Sequence, residues 1–119
     1  MSKAYSTRIR DTAVQKRRLQ QEQHRQEVLS RLKSALAELS QRFPFKRAVI
    51  FGSITRPYGF TEGSDIDVAV EGLDDHEFFR AMGFLSRCLG REVDLLQIEA
   101  HRLAGKIESE GLVWNPQRE

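Results

Sequence analysis

Apolar residues change their spacing along this chain, and each change of period marks out an element. Val28, Leu29, Leu32, Leu36, Leu39 and Phe43 recur every three or four positions, which predicts one apolar stripe on a helix. Pro44 cannot continue that helix and stops it. Ala48-Val49-Ile50-Phe51 is a short β-rich run ending at Gly52, and it reads as a buried strand. Residues 54–63 hold Pro57, Gly59 and Gly63, so a turn or loop follows. Ser64 to Glu71 then alternates, with Ile66, Val68 and Val70 on one face and Asp65, Asp67 and Ala69 on the other.

Gly72 breaks that strand, and Asp74 with Glu77 resembles a capping-box start. Phe78, Met82, Leu85 and Leu89 carry the next helix to Gly90, a C′ glycine. Glu92 to Ile98 is a third strand, in which Asp94 shares its face with Leu96 and Ile98. Residues 100–110 predict a last helix around Leu103 and Ile107, and Leu112-Val113-Trp114 adds a short terminal strand. The order predicts an α+β domain: a small mixed sheet of three to four strands backed by helices.

Residues 1–24 lack this periodicity and are rich in Gln and Arg, so they predict a solvated helical or disordered arm ahead of a domain at 25–119. Charge sharpens the division. The net charge of +2 hides 12 basic against 4 acidic residues through Arg47, and 7 against 13 from Ala48 onward. The arm's Arg8, Arg10, Lys16, Arg17 and Arg18, with Arg25 just after it, suit nucleic-acid phosphates, an acidic protein partner or plain solvation; of the two partners, protein is favoured over nucleic acid. Only Tyr5 offers the arm an aromatic ring, which argues against single-strand stacking.

One cysteine, Cys88, excludes an intrachain disulfide, sits in an apolar helical pattern and suits a reducing cytoplasm. The absence of a long apolar run excludes a membrane span and a secretory signal. His24, His76 and His101 are scattered without a helical-spaced ligand partner, which argues against a zinc site.

The chemistry lies in three acids. Asp65 and Asp67, at i and i+2 on a strand, point from the same face, and Asp94 interrupts the apolar run of the next strand. Two carboxylates about 4 Å apart repel by roughly 4 kcal/mol at an effective dielectric near 20. A divalent cation or a shared proton between them relieves that cost. Singly, a Gly-Ser after a strand, a D-x-D pair and a buried-strand Asp are ordinary features. Their conjunction, AVIFGS then SDIDVAV then EVDLL, is specific.

That conjunction resembles the signature of the DNA polymerase β-type nucleotidyltransferase superfamily. From about Leu29 to Trp114, ending in IESEGLVW, the chain is similar to the minimal nucleotidyltransferases, many of which are antitoxins paired with HEPN-domain ribonuclease toxins. The resemblance implies that Asp65, Asp67 and Asp94 bind two Mg²⁺ ions and that Asp94 helps deprotonate an attacking hydroxyl. It implies that Gly52 and Ser53 contact a nucleoside triphosphate, ATP above all, with Arg56 and Ser64 beside them. The loop departs from the family's usual form: Ile54 stands where a basic residue follows the serine, and Pro57 replaces a glycine.

The expected activity is transfer of AMP from ATP to a hydroxyl of a HEPN-type partner protein. A chain of this length lacks a separate acceptor-binding domain, so a partner or a second subunit in a homo-oligomer is expected to complete the site. Two alternatives stay open. One is a nucleotidyltransferase acting on a small molecule, as the aminoglycoside-modifying enzymes do; the other is a binding module that works through the basic arm.

Overall fold

The computed structural model describes residues 2–116, with side chains from residue 11. It is mixed α and β, as the alternation of periods predicts. Helix α1 (Ser2–Arg42) leads into β1 (Arg47–Phe51) and β2 (Ile66–Glu71). Helix α2 (Phe78–Leu89) connects to β3 (Val93–Gln97), and α3 (Ala104–Glu110) precedes β4 (Leu112–Trp114). The strands form one sheet in the order β3-β2-β1-β4. β1 runs antiparallel to both β2 and β4, whereas β2 and β3, joined by the crossover helix α2, are parallel.

The sheet buries both faces, unequally. Ala48, Ile50, Ile66, Val68, Val70, Val93 and Leu95 meet α1 and α2 in the main core. Leu32, Leu36 and Leu39 of α1 are fully buried there, each contributing roughly 1.5–3 kcal/mol relative to exposure. The opposite face holds a smaller cluster of Val49, Ala69, Ile98 and Ile107, with Phe51, Leu96 and Ala104 against it. Asp67 and Asp94 belong to this second face by strand alternation, in line with Ala69 and Leu96.

Several boundaries shift for physical reasons. β2 begins at Ile66, so Asp65 stands just ahead of the strand. Asp74 caps through the amide of His76 at 2.8 Å, and it starts a one-turn 3-10 helix (Asp75–Glu77) before α2 proper. Gly90 ends α2 in the left-handed conformation, φ 65°, as a C-terminal glycine should. The predicted last helix is shorter, since Ile98–Ala100 forms a separate 3-10 turn. Helix α1 runs unbroken past position 24, although its first half carries no apolar stripe.

Arg47 ties the second face to the sheet, donating to Glu71 Oε1 at 2.5 Å and also to Glu108 of α3. Gly111 makes the tight passage from α3 to β4 possible. A Cβ there would overlap Val49 Cγ1 and lie 2.8 Å from the Ile107 carbonyl and 2.9 Å from that of Ile50. Gly111→Ala is therefore expected to lower stability by about 1–3 kcal/mol through overpacking, read as a fall in the urea midpoint at unchanged slope.

Candidate active site

The end of β1 sets the site's geometry. Phe51 pairs with Asp67 across the antiparallel ladder, and the chain then bends sharply at Gly52, φ 85° and ψ −160°. That conformation is almost confined to glycine. The absent side chain also matters for space: a Cβ on Gly52 would lie 2.5 Å from Asp67 Oδ2. The bend is thus seated directly against the Asp67 carboxylate.

Asp67 is in turn the direct partner of Asp94 in the parallel β2–β3 ladder, where neighbouring strands lie about 4.8 Å apart. Its carboxyl is pushed above the ordinary aspartate range, first by burial and then by the charges of Asp94 and Asp65. All three acids therefore share one electrostatic neighbourhood. Among the described residues none of them takes part in an ion pair. Asp65 and Asp94 are exposed and Asp67 is half-buried, so Asp67 carries the desolvation.

The loop after Gly52 forms a one-turn 3-10 helix (Ser53–Thr55) in which the Thr55 amide and hydroxyl both donate to the Gly52 carbonyl, at 3.1 and 2.7 Å. Ser53 is half-buried, and its hydroxyl has no hydrogen-bond partner among the described residues. Arg56 is exposed on the same loop. Ser64 serves its own turn, its hydroxyl accepting from the Thr61 amide at 3.0 Å. A groove of about 470 Å³ opens beside the bend, lined by Phe51, Gly52, Arg56, Leu96, His101 and Lys106 among others. It runs along the same face of the sheet as Asp67 and Asp94.

The model of the nucleotidyltransferase domain matches residues 29–114. The chain belongs to that family. No curated protein and no solved structure matched it. Membership makes the chain a transferase of nucleotidyl groups, a family that generally works on nucleoside triphosphates with a divalent metal.

Among the described residues no three His, Cys, Asp or Glu side chains stand together as a ready-made ligand set. A hard ion such as Mg²⁺ does not need one, because it is held by one or two carboxylates together with substrate phosphates and water. Asp67 and Asp94, adjacent, unpaired and oxygen-bearing, are such a partial set, and the cost of burying Asp67 beside like charges is what a cation offsets. The residues fit.

The sequence does not point to Glu22 and Arg91, and it offers Arg25 only as a basic residue of the arm, yet all three hold the loop from outside. Arg91 donates to the carbonyls of Glu62 (2.6 Å) and Ser64 (2.9 Å), and its guanidinium lies 4.6 Å from the Phe60 ring centre. Their only signal was a charge inside or beside an apolar pattern. His101 and Lys106 were legible as helix-region residues but not as groove lining.

Two outcomes follow from the Asp67 environment. A carboxyl whose folded pKa lies above its unfolded value, 3.8, costs nothing while protonated in both states; the cost grows as pH rises above the unfolded value and is complete once pH exceeds the folded one. Asp67→Asn is therefore expected to melt higher than wild type at pH 7 without divalent ions, the gap closing as pH falls to about 4. A gap independent of pH in thermal melts contradicts the placement. Gly52→Ala is expected to lose about 1–3 kcal/mol from its positive φ alone, and Asp67→Asn, which leaves an amide the same size, is not expected to rescue it.

Proposed function

We propose that this nucleotidyltransferase moves AMP from ATP onto a hydroxyl of a partner protein in the cytoplasm, and that it acts as the antitoxin of a HEPN-type ribonuclease. The observation that carries the transfer reading is the contact of Gly52 with Asp67 and the register of Asp67 with Asp94. It joins a bend able to take phosphates to a pair of uncompensated carboxylates. The protein acceptor and the toxin pairing rest on the resemblance of the chain to the minimal nucleotidyltransferases.

In this reading the acceptor oxygen attacks the α-phosphorus in line. A new P–O bond forms, the bond from the α-phosphorus to the bridging oxygen breaks, and pyrophosphate leaves. Asp94, exposed at the sheet edge, takes the acceptor's proton. Asp67 and Asp94 would hold Mg²⁺, with Asp65 adding negative charge beside them, and the ion when bound supplies charge stabilisation for the transfer. Backbone amides at the bend and the unengaged Ser53 hydroxyl donate to the β- and γ-phosphate oxygens, and Arg56 adds charge. The apolar and cationic groove beside Gly52, with Phe51, Leu96 and Lys106, gives the nucleoside a place along the same face.

The test is incubation of the full chain with ATP, Mg²⁺ and the product of the adjacent reading frame, followed by intact mass spectrometry. An AMP increment on the partner supports the proposal; an increment on a small hydroxyl compound instead supports the antibiotic-type alternative. Asp67→Asn and Asp94→Asn are each expected to cut transfer by more than the roughly 10–100-fold typical of outer-shell metal partners, with ATP binding weakened far less. Full transfer in either variant overturns the assigned roles.

A further inference from the structure

Glu22 and Arg25, one turn apart on α1, are the buried charged residues of the described chain, each only 8% exposed. Arg25 donates from Nε to Glu22 Oε1 at 2.8 Å and from a terminal nitrogen to Oε2 at 2.5 Å. Its other terminal nitrogen donates to the Ile54 carbonyl at 2.8 Å. Glu22 Oε1 also accepts from the Tyr58 amide at 2.7 Å, and Oε2 from Gln26 Nε2 at 3.0 Å. The pair thus holds the loop after Gly52 at two backbone points, Ile54 and Tyr58.

The loop conformation needs such a hold. Tyr58 has φ 62°, the left-handed region that a bulky residue adopts at a cost of about 1–3 kcal/mol. The Arg18 guanidinium caps its ring from α1, 5.0 Å from the centre. Ile54 on the same loop is fully buried. The guanidinium and the loop amide hold the Glu22 carboxyl down to about 2. A desolvated ion pair contributes little net stability compared with an apolar pair of similar volume, so what this pair supplies is the geometry it fixes. All four of Arg18, Glu22, Arg25 and Gln26 precede residues 29–114, where the family model matches.

We infer that Glu22 and Arg25 are positioning residues that clamp the loop from Ser53 to Tyr58 in its nucleotide-binding form, making the middle of α1, from Arg18 to Gln26, a support of the site. The inference rests on the nucleotidyl reading of that loop. Ligand affinity falls in proportion to the fraction of protein already in the competent form. A loop released to one-tenth occupancy of that form binds about tenfold more weakly.

The test uses the full chain with Mg-ATP and no acceptor, read by titration calorimetry together with amide hydrogen exchange over residues 53–59. Glu22→Leu combined with Arg25→Met removes the clamp while filling its volume. Arg25→Lys keeps the charge but cannot serve both Glu22 and the Ile54 carbonyl, and it decides the matter if the double variant does not fold. The expected result is a Kd raised about tenfold in the double variant, and severalfold in Arg25→Lys. Loop exchange should be faster in both, while Leu39→Val, a core control far along α1, changes neither. Undiminished binding in the variants overturns the clamp alone. A wild-type chain that binds no Mg-ATP overturns the nucleotidyl reading, and with it the role assigned to the clamp.

Discussion

Asp67 sits where two constraints meet, and the surrounding structure is arranged around both. Backbone geometry puts Gly52 against its carboxylate, and strand register puts Asp94 beside it. Neither contact supplies a positive charge. The carboxyl is consequently held above its ordinary range by burial and by its acidic neighbours, a cost the fold bears in the absence of a counter-ion. A core of about twenty buried apolar residues on the other face of the sheet can carry a deficit of this kind. Strained or uncompensated groups persist where the rest of the structure over-determines them, and they mark sites of chemistry.

The cations near the site are used in a way that preserves this deficit. Arg25 is neutralised by Glu22 and spends its remaining donor on a carbonyl. Arg91 also donates to carbonyls, those of Glu62 and Ser64. The segment between Gly52 and Ser64 is therefore gripped from both sides by guanidinium groups that bind backbone dipoles rather than the aspartates. Carbonyl acceptors give an arginine geometry without cancelling a carboxylate. The negative patch at the strand edge stays open to an external cation, while the loop above it stays ordered.

Much of this was legible from periodicity. The period-two alternation of Ser64 to Glu71 fixed which face Asp67 takes, and the apolar run through Val93 and Leu95 fixed the same for Asp94. Gly52 was visible as a break, but its steric partner was not, because Asp67 lies 15 positions away and the contact depends on the register of β1 with β2. Capping at Asp74 was read correctly as a start signal, though the hydroxyl and carboxyl chemistry of short polar residues favours tight turns, and a 3-10 turn formed there first. Ser64 shows the same effect, its hydroxyl closing the turn with Thr61.

The part of α1 ahead of its apolar stripe, through Gln26, was the least legible element, and the reason is physical. Helix-burial patterns are read from apolar residues, whereas the part of this segment that touches the body does so through Glu22, Arg25 and Arg18. In a sequence such residues are indistinguishable from a solvated face. Their burial depends on whether a carbonyl and an amide are presented at the right height, and that is decided 29 and 36 residues later, at Ile54 and Tyr58. A charged pair whose sequence pattern suits solvent is thus buried against the backbone of the loop after Gly52. Its effect in the clamp reading is conformational: Ile54 and Phe60 anchor the loop in the apolar core by their side chains, and the charged pair adds a hold on its backbone at Ile54 and Tyr58.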